Sequence, residues 1–219
     1  MDRNEIEAIT SEIRAAMQQQ SPPIDIFHIA REESILLAPG NYGEEFNGRL
    51  EYHRKPGKFI LFYPNIKENR YPSRVRFSIS HELGHYYLPE HRKLLIQGKS
   101  HNSKTGFICG NKLEREADFF AASLLLPEKV LREFCSRREF YTLRELIELA
   151  NLWQTSITSA VIRYVQWTSE CCSTVLSQDK KILFYLPSEE AAYCGFQWLG
   201  RKEVAPRSAT IKACNNQGS

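Results

Sequence analysis

Apolar residues recur at helical spacing from the start of the chain. Ile6, Ile9, Ile13, Ala16 and Met17 share one side of a helix predicted over residues 3–19, which Ser21-Pro22-Pro23 ends. A short helix over residues 25–33 carries Ile26, Ile29 and Ala30 on one side. The period then changes. SILLAPG reads as a strand closed by Pro39-Gly40, and NGRLEYHRKPGKFILFYP as two strands around Lys55-Pro56-Gly57, the second rich in aromatic residues and Ile. Helical spacing returns over residues 73–88, where Val75, Ile79, Leu83 and Tyr86 or Tyr87 share a face and Pro89 marks the end. Residues 97–110 are polar and contain glycine, which predicts a loop, and residues 112–126 hold strong helix formers up to Pro127. Beyond them the pattern predicts helix over residues 127–137 and 142–167, then a hairpin over 174–186 turning at 177–181.

Bulk numbers narrow the classes without choosing one. A chain of 219 residues supports one main core, and 42% hydrophobic with 25% charged residues describes a folded chain rather than a disordered one. A net charge of only +3 argues against gripping polyanions as the main task. MDRNEIEAITSEIRAAMQQQ has no apolar run that could be a signal-peptide core, and no stretch approaches the ~20 apolar residues of a membrane span, so a cytoplasmic protein without a membrane partner is expected. Six scattered cysteines, Cys109, Cys135, Cys171, Cys172, Cys194 and Cys214, match neither a disulfide framework nor zinc-ribbon spacing and read as reduced thiols.

The chemistry is concentrated in His81-Glu82-Leu83-Gly84-His85. Two imidazoles four residues apart on a helix are one turn apart and can reach one metal. Zinc suits them, since it takes neutral imidazole nitrogen at about 2.0–2.1 Å and leaves one tetrahedral position open for water. Manganese is the alternative occupant. Glu82 stands beside that open position, placed to take a proton from the attacking water.

Three residues compete to be the third ligand. His91 lies six positions after His85, the spacing of the longer H-E-x-x-H-x-x-G-x-x-H pattern, but Leu88 followed by Pro89 replaces the glycine that such a turn uses. Glu114 on the next helix is the favoured candidate, with Asp118 one turn later able to orient a liganding histidine. Glu116 stands about 200° around the same helix from Glu114, so only one of the two can point at the metal.

RVRFSISHELGHYYL and LEREADFFAASLLLP together resemble the two signature helices of the ImmA/IrrE-like metallopeptidases, and NGRLEYH with FILFYP resembles the sheet that precedes them. The resemblance is close over residues 47–127 and weaker toward the C-terminal end. It implies an α+β, zincin-like peptidase domain in which His81, His85 and Glu114 bind one Zn2+ and Glu82 is the catalytic glutamate. It also implies a regulatory substrate, a transcriptional repressor of the helix-turn-helix type that is cleaved or disabled under stress. The competing function is a non-catalytic module that uses the same fold to sequester a repressor or contact DNA.

Supporting parts follow from the same reading. His101, Tyr86, Tyr87 and His91 are the nearby donors for an oxyanion, and the strand at residues 58–63 is a candidate edge for a substrate peptide. LRELIELANLWQTSITSAVIRYVQ has a helix-turn-helix look, with Gln154 where a turn glycine is usual; few basic residues fall on its exposed positions, so packing against the core is expected rather than DNA contact. Cys171-Cys172 receive no role, and Phe196, Trp198 and Leu199 are expected to pack the C-terminal hairpin. The expected division is a metallopeptidase core at residues 1–137, a helical segment packed on it at 138–170 and a small β-rich appendage at 171–219.

Overall fold

The computed structural model describes residues 1–42, 47–67, 69–98, 112–136, 141–178 and 181–195. His101, Cys109, Cys214, Phe196, Trp198, Leu199 and the turn at 179–180 lie outside them.

Helix α1 (Arg3–Ala16) opens with a capping box in which the Asp2 carboxylate accepts from the Glu5 amide and the Glu5 carboxylate accepts from the Asp2 amide. It stops short of the predicted end because Gln18 turns to a φ of 55°, in the left-handed region. Asp25 caps α2 (Ile26–Glu32), whose Ile26, Ile29 and Ala30 are fully buried. Strands β1 (Leu36–Gly40), β2 (Arg49–His53) and β3 (Lys58–Pro64) form one sheet in the order β1-β3-β2. β1 runs parallel to β3 with Leu36 opposite Ile60, and β2 runs antiparallel with Arg49 opposite Phe62. This corrects the expected substrate edge. β3 is the central strand, so its ladder groups on both sides are already engaged and no peptide can add to it.

Phe59, Leu61 and Tyr63 on one face of β3 enter the core, which α3 (Pro72–Tyr87) covers. Proline in the first turn starts α3, and Leu88, extended at ψ 120°, ends it as predicted. Pro89 then does something the pattern did not disclose: it begins a further helix, α4 (Pro89–Ile96), whose buried residues are His91 and Leu95. After it come α5 (Lys112–Leu125) and α6 (Glu128–Cys135).

α3 crosses α5 at Gly84, between the two histidines. A Cβ added there would stand 3.1 Å from Phe120 Cδ1 and 3.2 Å from Ala117 Cα, tighter than ordinary contact. Gly84→Val is therefore expected to force the helices apart, costing about 1–3 kcal/mol as an overpacked core position. Urea denaturation checks it; an unchanged midpoint would show that the crossing has slack.

α7 (Leu143–Leu152) and α8 (Ile157–Trp167) form the helix-turn-helix-like pair, and Gln154 takes a φ of 49° in the turn between them, the conformation for which glycine is usual. Arg163, the one basic residue of α8, is fully buried against Glu7 of α1 and the Leu126 carbonyl, so α8 offers no cation to a phosphate backbone. β4 (Ser173–Gln178) and β5 (Lys181–Pro187) make the antiparallel hairpin, followed by α9 (Glu189–Tyr193). Cys135, Cys171, Cys172 and Cys194 are free thiols. Among the described residues no helix is long and apolar enough to cross a membrane.

Candidate metal centre

One turn of α3 separates His81 from His85, and both are 1% exposed, because the face that carries them is pressed onto α5. Their Nε2 atoms approach to 3.1 Å. From α5, Glu114 directs one carboxylate oxygen to within 3.3 Å of His81 Nε2 and the other to within 3.6 Å of His85 Nε2. These three side chains form a group whose ligand atoms all lie within 4.8 Å of one another.

The spacing suits zinc. Atoms about 2.0–2.2 Å from a tetrahedral ion stand about 3.3–3.6 Å apart, close to the separations here, and two imidazoles with one carboxylate are an established donor set for a site that keeps one position open. Electrostatics point the same way. Burial works against a charged His81, yet hydrogen bonds to Asp118 and Glu114 and the nearby Glu82 carboxylate carry its pKa up to about 10, so this pocket stabilises a positive charge.

The far side of each imidazole is held as well. Asp118, one turn after Glu114, has Oδ1 2.8 Å from His81 Nδ1, so Nδ1–H donates there, and the ring in its neutral form would present its Nε2 lone pair on the side of Glu114. Behind His85 stands His91, with Nδ1 to Nδ1 at 3.0 Å, and His91 Nε2 lies 3.0 Å from Glu116 Oε2. Glu116 is also 2.5 Å from the Met1 amine and 3.6 Å from Lys112 Nζ. Burial alone would raise its pKa, but the hydrogen bonds from the Met1 amine and His91 hold it below the ordinary carboxylate value.

The rival third ligands are thus elsewhere. His91 meets His85 at the nitrogen turned away from Glu114, and Glu116 meets His91. Pro89 explains the first, since starting α4 there carries His91 round the corner behind His85. Helical phase explains the second.

Glu82 is 2% exposed, and a Cβ at position 48 would stand 3.2 Å from its Cγ, so Gly48, just ahead of β2, leaves its side chain room. Two candidate oxyanion donors are otherwise engaged. Tyr86 and Tyr87 donate to the two oxygens of Glu33 at 2.9 and 2.8 Å, and burial with that carboxylate raises both phenol pKa values. Glu33 itself carried no sequence signal, because it lies at the end of α2, far from the motif.

Residues 43–164 match the model of the IrrE N-terminal-like domain. Metallopeptidase ImmA of Bacillus subtilis (strain 168) is 30% identical over 109 residues, 50% of this chain and 58% of that protein. A Mycobacterium tuberculosis transcriptional regulator of known structure superposes with a TM-score of 0.58 at 11% identity, over 84% of this chain and 55% of that one, a likeness of fold alone. The chain therefore spans little more than half the length of either relative.

Proposed function

Because the chain belongs to the IrrE N-terminal-like family of metallopeptidases and has its zincin-like α+β fold, we propose that it is a cytoplasmic, zinc-dependent endopeptidase of narrow specificity. His81, His85 and Glu114 hold the ion in this reading, and Glu82 carries the proton. The observation that supports it is the convergence of those three ligand atoms on one point, with Glu82 on the same helix.

When bound there, zinc supplies Lewis acidity that polarises a peptide carbonyl and makes water nucleophilic near neutral pH. Glu82 accepts the proton of the attacking water on its carboxylate and returns it to the leaving amine nitrogen. Asp118 fixes the His81 tautomer through Nδ1. The tight fit of α3 on α5 at Gly84 keeps Glu114 opposite the histidines.

The substrate in this reading is a helix-turn-helix transcriptional repressor. The resemblance to the ImmA/IrrE-like peptidases motivates that choice, and the burial of Arg163 argues against DNA contact through α8. Zinc-loaded protein incubated with the helix-turn-helix repressors encoded beside it should cut one of them at one or a few bonds, seen as discrete fragments by mass spectrometry. Release of a repressor from its operator without fragments would contradict the peptidase reading and favour sequestration.

A further inference from the structure

Each histidine of the candidate metal centre is backed by a carboxylate of α5, but by different routes: Asp118 touches His81 directly, whereas Glu116 reaches His85 only through His91. We infer that His91 and Glu116 are a positioning pair that sets the tautomer and ring orientation of His85. This rests on the reading of His81, His85 and Glu114 as zinc ligands.

The proton order is determined by the contacts. Two neutral imidazoles that meet Nδ1 to Nδ1 at 3.0 Å must supply one donor and one acceptor. His85 Nε2 faces His81 Nε2 and Glu114, so a lone pair for a metal on that atom requires the proton on Nδ1. His85 Nδ1–H then donates to His91 Nδ1. His91 must in turn carry its proton on Nε2, and that nitrogen lies 3.0 Å from the Glu116 Oε2 acceptor. No other arrangement of two protons satisfies both of these contacts while keeping a lone pair on His85 Nε2 for an ion. Burial reinforces the constraint, since His85 and His91 are each 1% exposed and Glu116 is 7% exposed, leaving little water to substitute for a lost partner. A histidine that served packing alone would need only the Glu116 contact.

Partners of this kind typically contribute 10–100-fold in metal affinity. The test is the zinc Kd, measured by competition with a chromophoric chelator, for the wild type, His91→Leu, His91→Asn, Glu116→Gln and Asp118→Asn, together with the melting temperature of each metal-free protein and the zinc X-ray absorption spectrum of each loaded one. His91→Leu should weaken zinc about 10–100-fold, comparably to Asp118→Asn, with two histidines still coordinated. His91→Asn, which can offer an amide oxygen to His85 Nδ1–H, should recover part of the loss. Glu116→Gln should weaken zinc less than His91→Leu, and adding it to His91→Leu should change nothing further, because the two act in series. Wild-type affinity in both His91→Leu and Glu116→Gln overturns the inference, whatever happens to the melting temperature. Loss of one histidine from the absorption spectrum of His91→Leu also overturns it, by making His91 a ligand. Should His91→Leu fail to fold, Glu116→Gln decides alone: weakened zinc supports the pair and wild-type affinity overturns it. A wild-type protein that binds no zinc overturns both this inference and the reading beneath it, whereas unchanged variants of a zinc-binding wild type overturn only the inference.

Discussion

Glu82→Gln is expected to keep its zinc and cleave the substrate at least 100-fold more slowly. Glutamine has nearly the shape of glutamate, so a side chain that is 2% exposed and pressed close to Gly48 can be replaced without repacking. What it lacks is a carboxylate oxygen able to accept a proton, and positioned proton transfer contributes about 10²–10⁴-fold to catalysis. His81, His85 and Glu114 remain in place, so metal content should not follow activity down. The measurement is kcat/KM on the cleaved repressor beside zinc content of the same sample. Cleavage within a few-fold of wild type would remove Glu82 from its role, and joint loss of zinc and activity would make it a structural residue of the site.

Arg163→Ala should give the largest loss of stability. The guanidinium is fully buried, with Nη1 2.6 Å from Glu7 Oε1 and Nε and Nη2 at 3.3 and 3.0 Å from the Leu126 carbonyl. The Glu7 contact is an ion pair off the line of a well-aligned hydrogen bond, and Ser123 Oγ donates to the same Glu7 oxygen at 2.9 Å. Removing the cation leaves the buried Glu7 carboxylate with only the Ser123 hydroxyl and the Arg14 charge, and takes the guanidinium from the buried Leu126 carbonyl, in the layer that ties α1 and α5 to α8, at a cost of about 3–5 kcal/mol. Typical domains are stable by only about 5–15 kcal/mol in total, so the variant should unfold at much lower urea. Removing both charges, as Glu7→Leu with Arg163→Met, should recover the part of the loss due to the uncompensated carboxylate, while the Leu126 carbonyl and the Ser123 hydroxyl still lose their partners. A deficit under about 1 kcal/mol in Arg163→Ala would mean that Glu7 finds another partner or water.

Much of this arrangement is written in short-range pattern. Val75, Ile79 and Leu83 repeat at the helical period and all are buried, which is why α3 and the motif on it could be read from the chain. Ile26, Ile29 and Ala30 behave likewise in α2. Glu114 was favoured over Glu116 because Asp118 shares its face one turn later, but which face meets α3 depends on the crossing at Gly84, which no local pattern shows. α4 escaped notice because Pro89 serves both as the stop of one helix and the first turn of the next, and the pattern reports the stop more strongly. That corner carries His91 behind His85, a relation no spacing rule expresses. The central place of β3 was also hidden, because strand order follows from the β1 to β3 parallel pairing, a main-chain ladder between distant segments that the side-chain pattern of residues 58–63 does not report. Gln154 shows the opposite case: a position where glycine is usual adopts the same left-handed backbone with another residue, because the buried faces of α7 and α8 determine the turn.

Whether α3 and α5 together hold a metal ion is tested most directly by zinc content per chain after exhaustive dialysis, measured by elemental mass spectrometry for the wild type and Glu114→Ala. The wild type should retain one zinc ion per chain and Glu114→Ala should lose it, since two imidazoles alone seldom hold zinc against dialysis. Full retention by Glu114→Ala, with loss in His91→Ala instead, would contradict a Glu114 ligand and move the third ligand to α4.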